Sequence, residues 1–226
     1  MENPNLNPVF KNRDEAARAL AHKLDELALS EPVVWGIPRG AVVMAKMIAR
    51  RLRGDFDVVL VRKVPHAEHR EFAVGSVTET GEILLGTGGK QLGLQIEDLE
   101  DEANWQHDEI LRRRKLYTPH RDPVDVHGRV VVIVDDGIAT GSTMEAAVVS
   151  ARSQGATRII AASPVASENA VDFLNGIGAE VAVVMVPKFF FSVSQFYEEF
   201  DQVADDEVIE ALGDEFESIL TSSLRL

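Results

Sequence analysis

Short apolar runs alternate with helical patterns along this chain and predict its fold. Each run is mostly β-branched and is bordered by a segment whose apolar residues recur at helical spacing. The predicted strands cover residues 33–35, 57–61, 131–134, 158–164 and 180–185. The predicted helices cover residues 13–29, 42–52, 93–117, 142–154, 167–175 and 205–212. This alternation is typical of an α/β fold, with a parallel sheet flanked by helices and right-handed crossovers.

Two regions depart from this alternation. Residues 72–77 and 82–85 flank a turn at Glu79-Thr80-Gly81 and predict a β-hairpin that projects as a flap. With the helix that follows, it forms a predicted insertion at about 64–118 of a single domain covering residues 1–226. At the other end, six of the twelve Phe and Tyr residues lie within 189–200. They either pack under the last helix or form a stacking wall for a flat heterocycle, in a small C-terminal hood at about 187–226.

Composition excludes several classes of protein. The chain has 226 residues, 45% of them hydrophobic, and no cysteine, so disulfide and thiol chemistry are excluded. The net charge of −14 argues against nucleic-acid binding. No apolar run approaches the roughly 18 residues of a membrane span, and residues 1–11 lack the pattern of a signal peptide and predict an arm without a packed face. We therefore expect a cytoplasmic protein, in which any anionic substrate needs positive groups gathered locally.

Residues 131–143 carry the clearest chemistry. A buried strand is followed by Asp135 and Asp136, then by a small, hydroxyl-rich turn that leads into a helix. Carboxylates can accept hydrogen bonds from a ribose diol, directly or through Mg²⁺. The amides and hydroxyls of residues 140–143 can hold a phosphate at the helix start. Because the Walker lysine and the G-x-G-x-x-G pattern are both absent, an NTPase and a dinucleotide-binding protein are disfavoured.

Three further segments could contact a second anion. The glycine-rich turn at 36–41 contains Arg39 and is either an anion pocket or an ordinary strand-to-helix turn. Arg62 and Lys63 follow a predicted strand, where α/β sheets bind ligands, although a solvated strand end is the alternative. The basic run 112–115 suits the C-terminal end of a helix dipole, and one or two of its residues could instead reach a phosphate.

Taken together, these residues resemble the type I phosphoribosyltransferase family. Residues 131–143 resemble its thirteen-residue motif for phosphoribosyl pyrophosphate (PRPP). Residues 36–41 resemble its pyrophosphate loop, which often contains a non-proline cis peptide bond, and residues 61–63 resemble its basic strand end. The resemblance covers most of the chain and is closest to bacterial and archaeal members of unassigned substrate. It implies a Rossmann-like fold with a flap, a helical insertion and a hood.

The resemblance also implies an activity. The family transfers the phosphoribosyl group of PRPP to a nitrogen of a heterocyclic base, releases pyrophosphate and uses Mg²⁺; we expect the same here, in a homodimer. The alternative is a non-catalytic protein that senses PRPP or a nucleotide. Enzymes for 6-oxopurines usually carry an Asp where this chain has Ala139, which counts against hypoxanthine or guanine as the acceptor. The identity of the base stays open.

Carried over to this chain, the resemblance predicts the site residues. The catalytic residues are expected to be Arg39, Lys63, Asp135 and Asp136, with both aspartates as metal ligands. The expected PRPP contacts are Arg39, Gly40, Arg62, Lys63, Asp135, Asp136, Gly137, Ile138, Ala139, Thr140, Gly141, Ser142 and Thr143. The expected contacts to the base are Phe190, Phe191, Phe196 and Tyr197.

Overall fold

A five-stranded parallel sheet forms the centre of the protein, as the alternation of strands and helices predicts. The computed structural model describes residues 9–119 and 121–213. The strands are β1 Val33–Gly36, β2 Asp55–Val58, β3 Val61–Pro65, β4 Ala73–Thr78, β5 Ile83–Leu85, β6 Val130–Val134, β7 Arg158–Val165 and β8 Glu180–Met185. The parallel sheet has the order β2-β1-β6-β7-β8, and β3-β4-β5 form a separate antiparallel sheet.

Helices cover both faces of the parallel sheet. They are α1 Arg13–Asp25, α2 Gly40–Leu52, α3 Thr87–Gln91, α4 Glu100–Tyr117, α5 Ser142–Ser153, α6 Glu168–Gly176 and α7, which is described over 205–213. In the central strand β6, Val132 and Val134 pack in one core with α1 and α2. Val131 and Ile133 pack in a second core with α5 and α6. A strand buried on both faces has no polar side to present, which explains the continuous apolar run in the sequence.

The flap is a three-stranded sheet, and its first strand differs from the prediction. The hairpin of β4 and β5 is confirmed, but the single strand predicted over 57–61 is wrong. β2 ends at Val58, and the chain then crosses to the small sheet, where β3 pairs with β4. The apolar residues between the two strands are buried, so the sequence pattern continues without a visible break. Arg62 and Lys63 therefore lie within β3 rather than at the end of a parallel strand.

Arg114 ties the flap and α4 to the parallel sheet. Its guanidinium forms two hydrogen bonds of 2.6 Å with the Glu79 carboxylate in the flap and one of 2.9 Å with Asp57 in β2. Asp57 is 1% exposed and also accepts a hydrogen bond from Arg121. Within the basic run 112–115, Arg114 thus has a structural role.

The N-terminal segment is packed where the structure describes it. Phe10 is buried, its ring lies 5.7 Å from that of Tyr197, and residues 9–11 exchange backbone hydrogen bonds with residues 196–199. The prediction of an unpacked arm is therefore wrong for residues 9–11, because the partner strand comes from the distant C-terminal region. Residues 1–8 of that predicted arm, and the predicted hood beyond residue 213, lie outside the described residues. Within the described ranges, no helix is long and apolar enough to cross a membrane.

Candidate active site

The carboxyl ends of β1 and β6 bring two of the predicted ligand loops together. Gly36 lies opposite Val134 in the parallel register, and the N–H of Ile37 donates to the carbonyl of Val134 at 3.0 Å. The loops that follow these strands therefore leave the same edge of the sheet side by side, where open α/β folds bind ligands. In the first loop, the peptide bond between Pro38 and Arg39 is cis, as the family resemblance implies.

Neighbouring backbone holds the second loop, residues 135–141, in place. The N–H of Asp135 donates to the carbonyl of Ala162 at 3.1 Å, and that of Ile138 donates to Val165 at 2.9 Å. Both acceptors lie in β7, so the loop continues the register of the sheet. Its backbone is therefore positioned before any ligand binds.

The loop ends at an open helix N-terminus. Gly141 precedes α5 with a φ of +81°, a conformation that other residues rarely adopt, and a Cβ there would lie 3.2 Å from Phe173. In the part of the chain that the structure describes, no side chain caps this end of α5. The hydroxyl oxygens of Thr140 and Ser142 lie 3.3 Å apart beside it. Unbonded N–H groups, the helix dipole and two hydroxyls together suit a phosphate.

Asp135 is the more isolated of the two adjacent carboxylates. It accepts the backbone N–H of Asp136 at 2.9 Å and forms no ion pair with a residue in the described ranges. Burial raises the pKa of Asp135 well above its usual value, and the adjacent charge of Asp136 raises it further. A positive or hydrogen-bond-donating ligand would relieve the cost of this buried charge.

Asp136, in contrast, has a cationic partner that the sequence did not indicate. Arg13 approaches its Oδ2 with Nε at 2.9 Å and Nη2 at 2.8 Å. Burial raises the pKa of Asp136, while the charge of Arg13 and its hydrogen bond act in the opposite direction. In the sequence, Arg13 is only the first residue of a helix, and no local signal connects it to a carboxylate 123 residues away.

The predicted cations lie in different parts of the site. Lys63 shares a cavity of about 220 Å³ with Thr140 and Ser142. Arg39 borders a separate groove between Gly40 and the hood, and its Nη1 lies 4.0 Å from Asp205. These placements bring Lys63 to the phosphate loop and Arg39 to the hood, while their roles at pyrophosphate stay predictions.

Arg62 points away from Lys63. Its Nε donates to the side-chain oxygen of Gln106 in α4. Burial, together with the charge of nearby Arg113, lowers the pKa of Arg62. The predicted contact of Arg62 with PRPP is not tested, and its present partner belongs to the helical insertion.

The hood aromatics divide into buried and exposed rings. Phe196 and Tyr197 are 3% and 5% exposed, and both belong to the core that contains α1 and α2. Phe190 packs against Phe196 at 5.2 Å, whereas Phe191 is 78% exposed. Stacking on a base requires a free ring face, so the structure favours Phe190 and Phe191 over the other two as base contacts.

The donor set for a metal is small. No group of three or more His, Asp or Glu side chains among the described residues is arranged to hold an ion. Asp135 and Asp136 remain the adjacent carboxylates at the loop, and Mg²⁺ prefers one or two carboxylates together with phosphate oxygens of the substrate. The residues therefore fit a metal that arrives with its substrate.

Comparison with known proteins identifies the family. The sequence profile of the "Phosphoribosyl transferase domain" matches residues 9–172, which include both ligand loops. The chain belongs to this family. The profile includes the acidic pair and the helix start described above, so the recognition made from residues 131–143 is confirmed.

Individual relatives agree with this assignment. The chain is 37% identical over 204 residues to "Putative phosphoribosyl transferase Rv0571c" of Mycobacterium tuberculosis, and the match covers 89% of this chain but only 46% of that protein. The chain thus spans about half the length of the curated relatives that it matches. It is also 43% identical to TT1426 from Thermus thermophilus, whose crystal structure matches with a TM-score of 0.79 over 90% of this chain and 97% of that one.

Proposed function

We propose that this protein transfers the phosphoribosyl group of PRPP to a nitrogen of a heterocyclic base and releases pyrophosphate, with Mg²⁺. One observation carries the proposal: two partly buried carboxylates lie next to an open helix N-terminus in a loop fixed to the sheet edge. A ribose diol and a phosphate on one ligand match these two chemistries. Membership of the phosphoribosyltransferase family supports the same choice.

The sugar phosphate would span residues 135–143. Its single phosphate group, opposite the pyrophosphate, would accept hydrogen bonds from the free N–H groups of α5 and from the hydroxyls of Thr140 and Ser142. The ribose hydroxyls would donate to Asp135, which forms no ion pair with the residues that the structure describes. Holding both ends of the sugar aligns its reactive carbon with the incoming base.

The reaction is a displacement at C1 of the ribose. The lone pair of a base nitrogen forms the new C1–N bond, and the C1–O bond breaks with its electron pair leaving on pyrophosphate. The proton on the attacking nitrogen passes to solvent or to the released pyrophosphate. Arg39 and Lys63 would stabilise charge on the phosphate groups from the two sides of the site.

Mg²⁺ would be held by Asp135 and Asp136 together with oxygens of PRPP. When bound, it would offset the negative charge that develops on the leaving group. Oδ2 of Asp136 already receives a hydrogen bond from Nε of Arg13 and an ion-pair contact from its Nη2, so Asp135 is the carboxylate with the greater capacity for a ligand.

The flap would limit water in the site. Strand β4 and the start of α3, at residues 86–88, line the same cavity as Lys63 and the phosphate loop. A wall at this position suits a reaction in which water competes with the base for the activated sugar.

The test is release of pyrophosphate from PRPP in the presence of Mg²⁺ and a panel of purines, pyrimidines and other nitrogen heterocycles. We expect at least one base to support release, and loss of that release in Asp135→Asn. Binding of PRPP without release for any base would favour the alternative, a PRPP-sensing or nucleotide-sensing protein. The acceptor base, the homodimer and a cytoplasmic location stay predictions.

A further inference from the structure

Arg13 contacts both the acidic pair and the hood, and the proposed reaction assigns it no role. It is the first residue of α1, and its side chain is only 14% exposed. Nη1 donates to the backbone carbonyl of Asp201 at 2.6 Å, and the guanidinium lies 3.9 Å from the centre of the Phe200 ring. The side chain therefore connects the N-terminal helix to the hood.

The same guanidinium fixes one half of the acidic pair. Nε and Nη2 both point at Oδ2 of Asp136, whose side chain is 17% exposed, so Oδ1 is the oxygen without a bond to Arg13. The hydroxyl of Tyr197 donates to the backbone carbonyl of Asp136 at 2.6 Å. Asp136 is thus held through its side chain and its backbone, and both contacts come from outside its own loop.

Gly40 shows how closely the other ligand loop packs against this ion pair. A Cβ at Gly40 would lie 2.2 Å from Oδ2 of Asp136 and 2.8 Å from Nε of Arg13. Only a residue without a side chain leaves room for the pair. The pair therefore lies between the loop that follows β1 and the loop that follows β6, in contact with both.

We propose that Arg13 is a positioning residue for PRPP binding: its contacts with Phe200 and Asp201 hold its guanidinium in place, and through Asp136 it fixes the acidic pair. In this role Arg13 acts on the substrate through Asp136 rather than by direct contact. This inference rests on the proposed function, because its consequence is the orientation of carboxylate oxygens toward a ribose or a metal. Partners that orient a ligand-binding carboxylate typically affect affinity by roughly 10- to 100-fold when they are replaced.

The test is calorimetric titration of Mg²⁺·PRPP into Arg13→Gln and Arg13→Lys, well below their melting temperatures. Gln lacks the charge and the fork of donors, and we expect binding roughly 10- to 100-fold weaker than in the wild type. Lys keeps the charge but lacks the fork of donors, so the affinity of Arg13→Lys should fall between that of the wild type and that of Arg13→Gln. Arg158→Gln is the matched control, since it removes two hydrogen bonds to Glu180. Arg158 is the first residue of β7 and lies at the amino-terminal ends of the strands, away from the ligand loops, so this variant should bind normally. Wild-type affinity in folded Arg13→Gln would overturn the inference.

A double-mutant cycle with Asp136→Asn separates positioning from general stability. If Arg13 acts through Asp136, Arg13→Gln should weaken PRPP binding by less than about twofold in the Asp136→Asn background. Equal losses in both backgrounds would contradict the inference. Failure of the wild type itself to bind Mg²⁺·PRPP would refute the proposed function and this inference with it. Normal wild-type binding with no effect of Arg13→Gln would refute this inference alone.

Discussion

At the scale of single residues, the two aspartates of the site differ in their surroundings. Asp136 has an arginine against its carboxylate, whereas Asp135 is partly buried beside another negative charge and has no ion pair among the described residues. A raised carboxyl pKa means that ionisation of the group destabilises the folded state relative to the unfolded state. Active sites commonly hold such groups because the cost is offset when the ligand binds.

Asp135→Asn should therefore stabilise the free protein while weakening PRPP binding. The folded pKa of Asp135 is raised, so the native state holds its proton over a pH range in which the unfolded chain has lost it. Its contribution to stability is present below the unfolded pKa and falls as the pH rises through the folded pKa. Melting temperatures of the two proteins should consequently differ most at neutral pH and converge in acid.

The control for this prediction is Asp172→Asn, on the exposed side of α6. It should not change the melting temperature by a comparable amount at any pH. A melting temperature for Asp135→Asn that is lower than that of the wild type at neutral pH would contradict the assigned environment of Asp135.

The sequence was sufficient to locate one part of this site but not the other. Residues 135–143 are contiguous, and their strand, acids and small-residue turn can be recognised without the fold. The contact between Arg13 and Asp136 joins positions 123 residues apart, and an arginine in the first turn of a helix has no distinctive pattern. Contacts of this kind depend on how the N-terminal helix and the hood pack, which is a property of the whole chain.

At the scale of elements, a buried ionic network joins the flap and α4 to the parallel sheet, in addition to the apolar packing of the flap strands. Arg114 of α4 joins Glu79 of the flap to Asp57 of β2. The sequence suggested a helix-dipole role or a phosphate contact for residues 112–115, because the partners of Arg114 lie in other elements. The same limit applies to β3, since nothing local to Val59 and Leu60 shows that the chain changes sheets there.

Arg114→Met should destabilise the protein strongly. It leaves Asp57, which is 1% exposed, with one fewer cation and Glu79 without its two hydrogen bonds. Removing one partner from a buried ion pair costs about 3–5 kcal/mol, which chemical denaturation measures directly. Arg112→Met is the matched control, because Arg112 pairs with Glu109 on the exposed surface of the same helix. A similar, small effect of both substitutions would show that the network does not anchor the flap.

The hood aromatics make a second prediction at this scale. Phe196→Ala should cost about 3–5 kcal/mol because a fully packed ring is lost from the core. Phe191→Ala should leave stability nearly unchanged, since that ring is 78% exposed, and should raise the KM for the base if the ring stacks on it. A base KM unaffected by Phe191→Ala would remove this residue from the predicted base site.

At the scale of the whole molecule, the fold brings the groups proposed to bind the ligand together at one edge of the sheet of an acidic protein. The chain carries 37 acidic residues against 23 Lys and Arg, so an anionic substrate meets an unfavourable overall field. The parallel register nevertheless places the loops after β1 and β6 side by side, with the N-terminus of α5 and Lys63 close to the second loop. We propose that this edge binds PRPP through residues 135–143.

Calorimetric titration of Mg²⁺·PRPP into the wild type and into a Thr140→Val, Thr143→Val variant tests that claim most directly. The variant lacks the hydroxyl of Thr140 in the loop and that of Thr143 in the first turn of α5 but keeps the size and β-branching of both side chains, and its fold can be checked by its melting temperature. We predict saturable binding at one site per chain in the wild type and binding at least about tenfold weaker in the variant, since hydrogen bonds to a charged group each contribute about 1.5–3 kcal/mol. Absence of binding to the wild type at millimolar PRPP, or equal affinity in both proteins, would contradict the account.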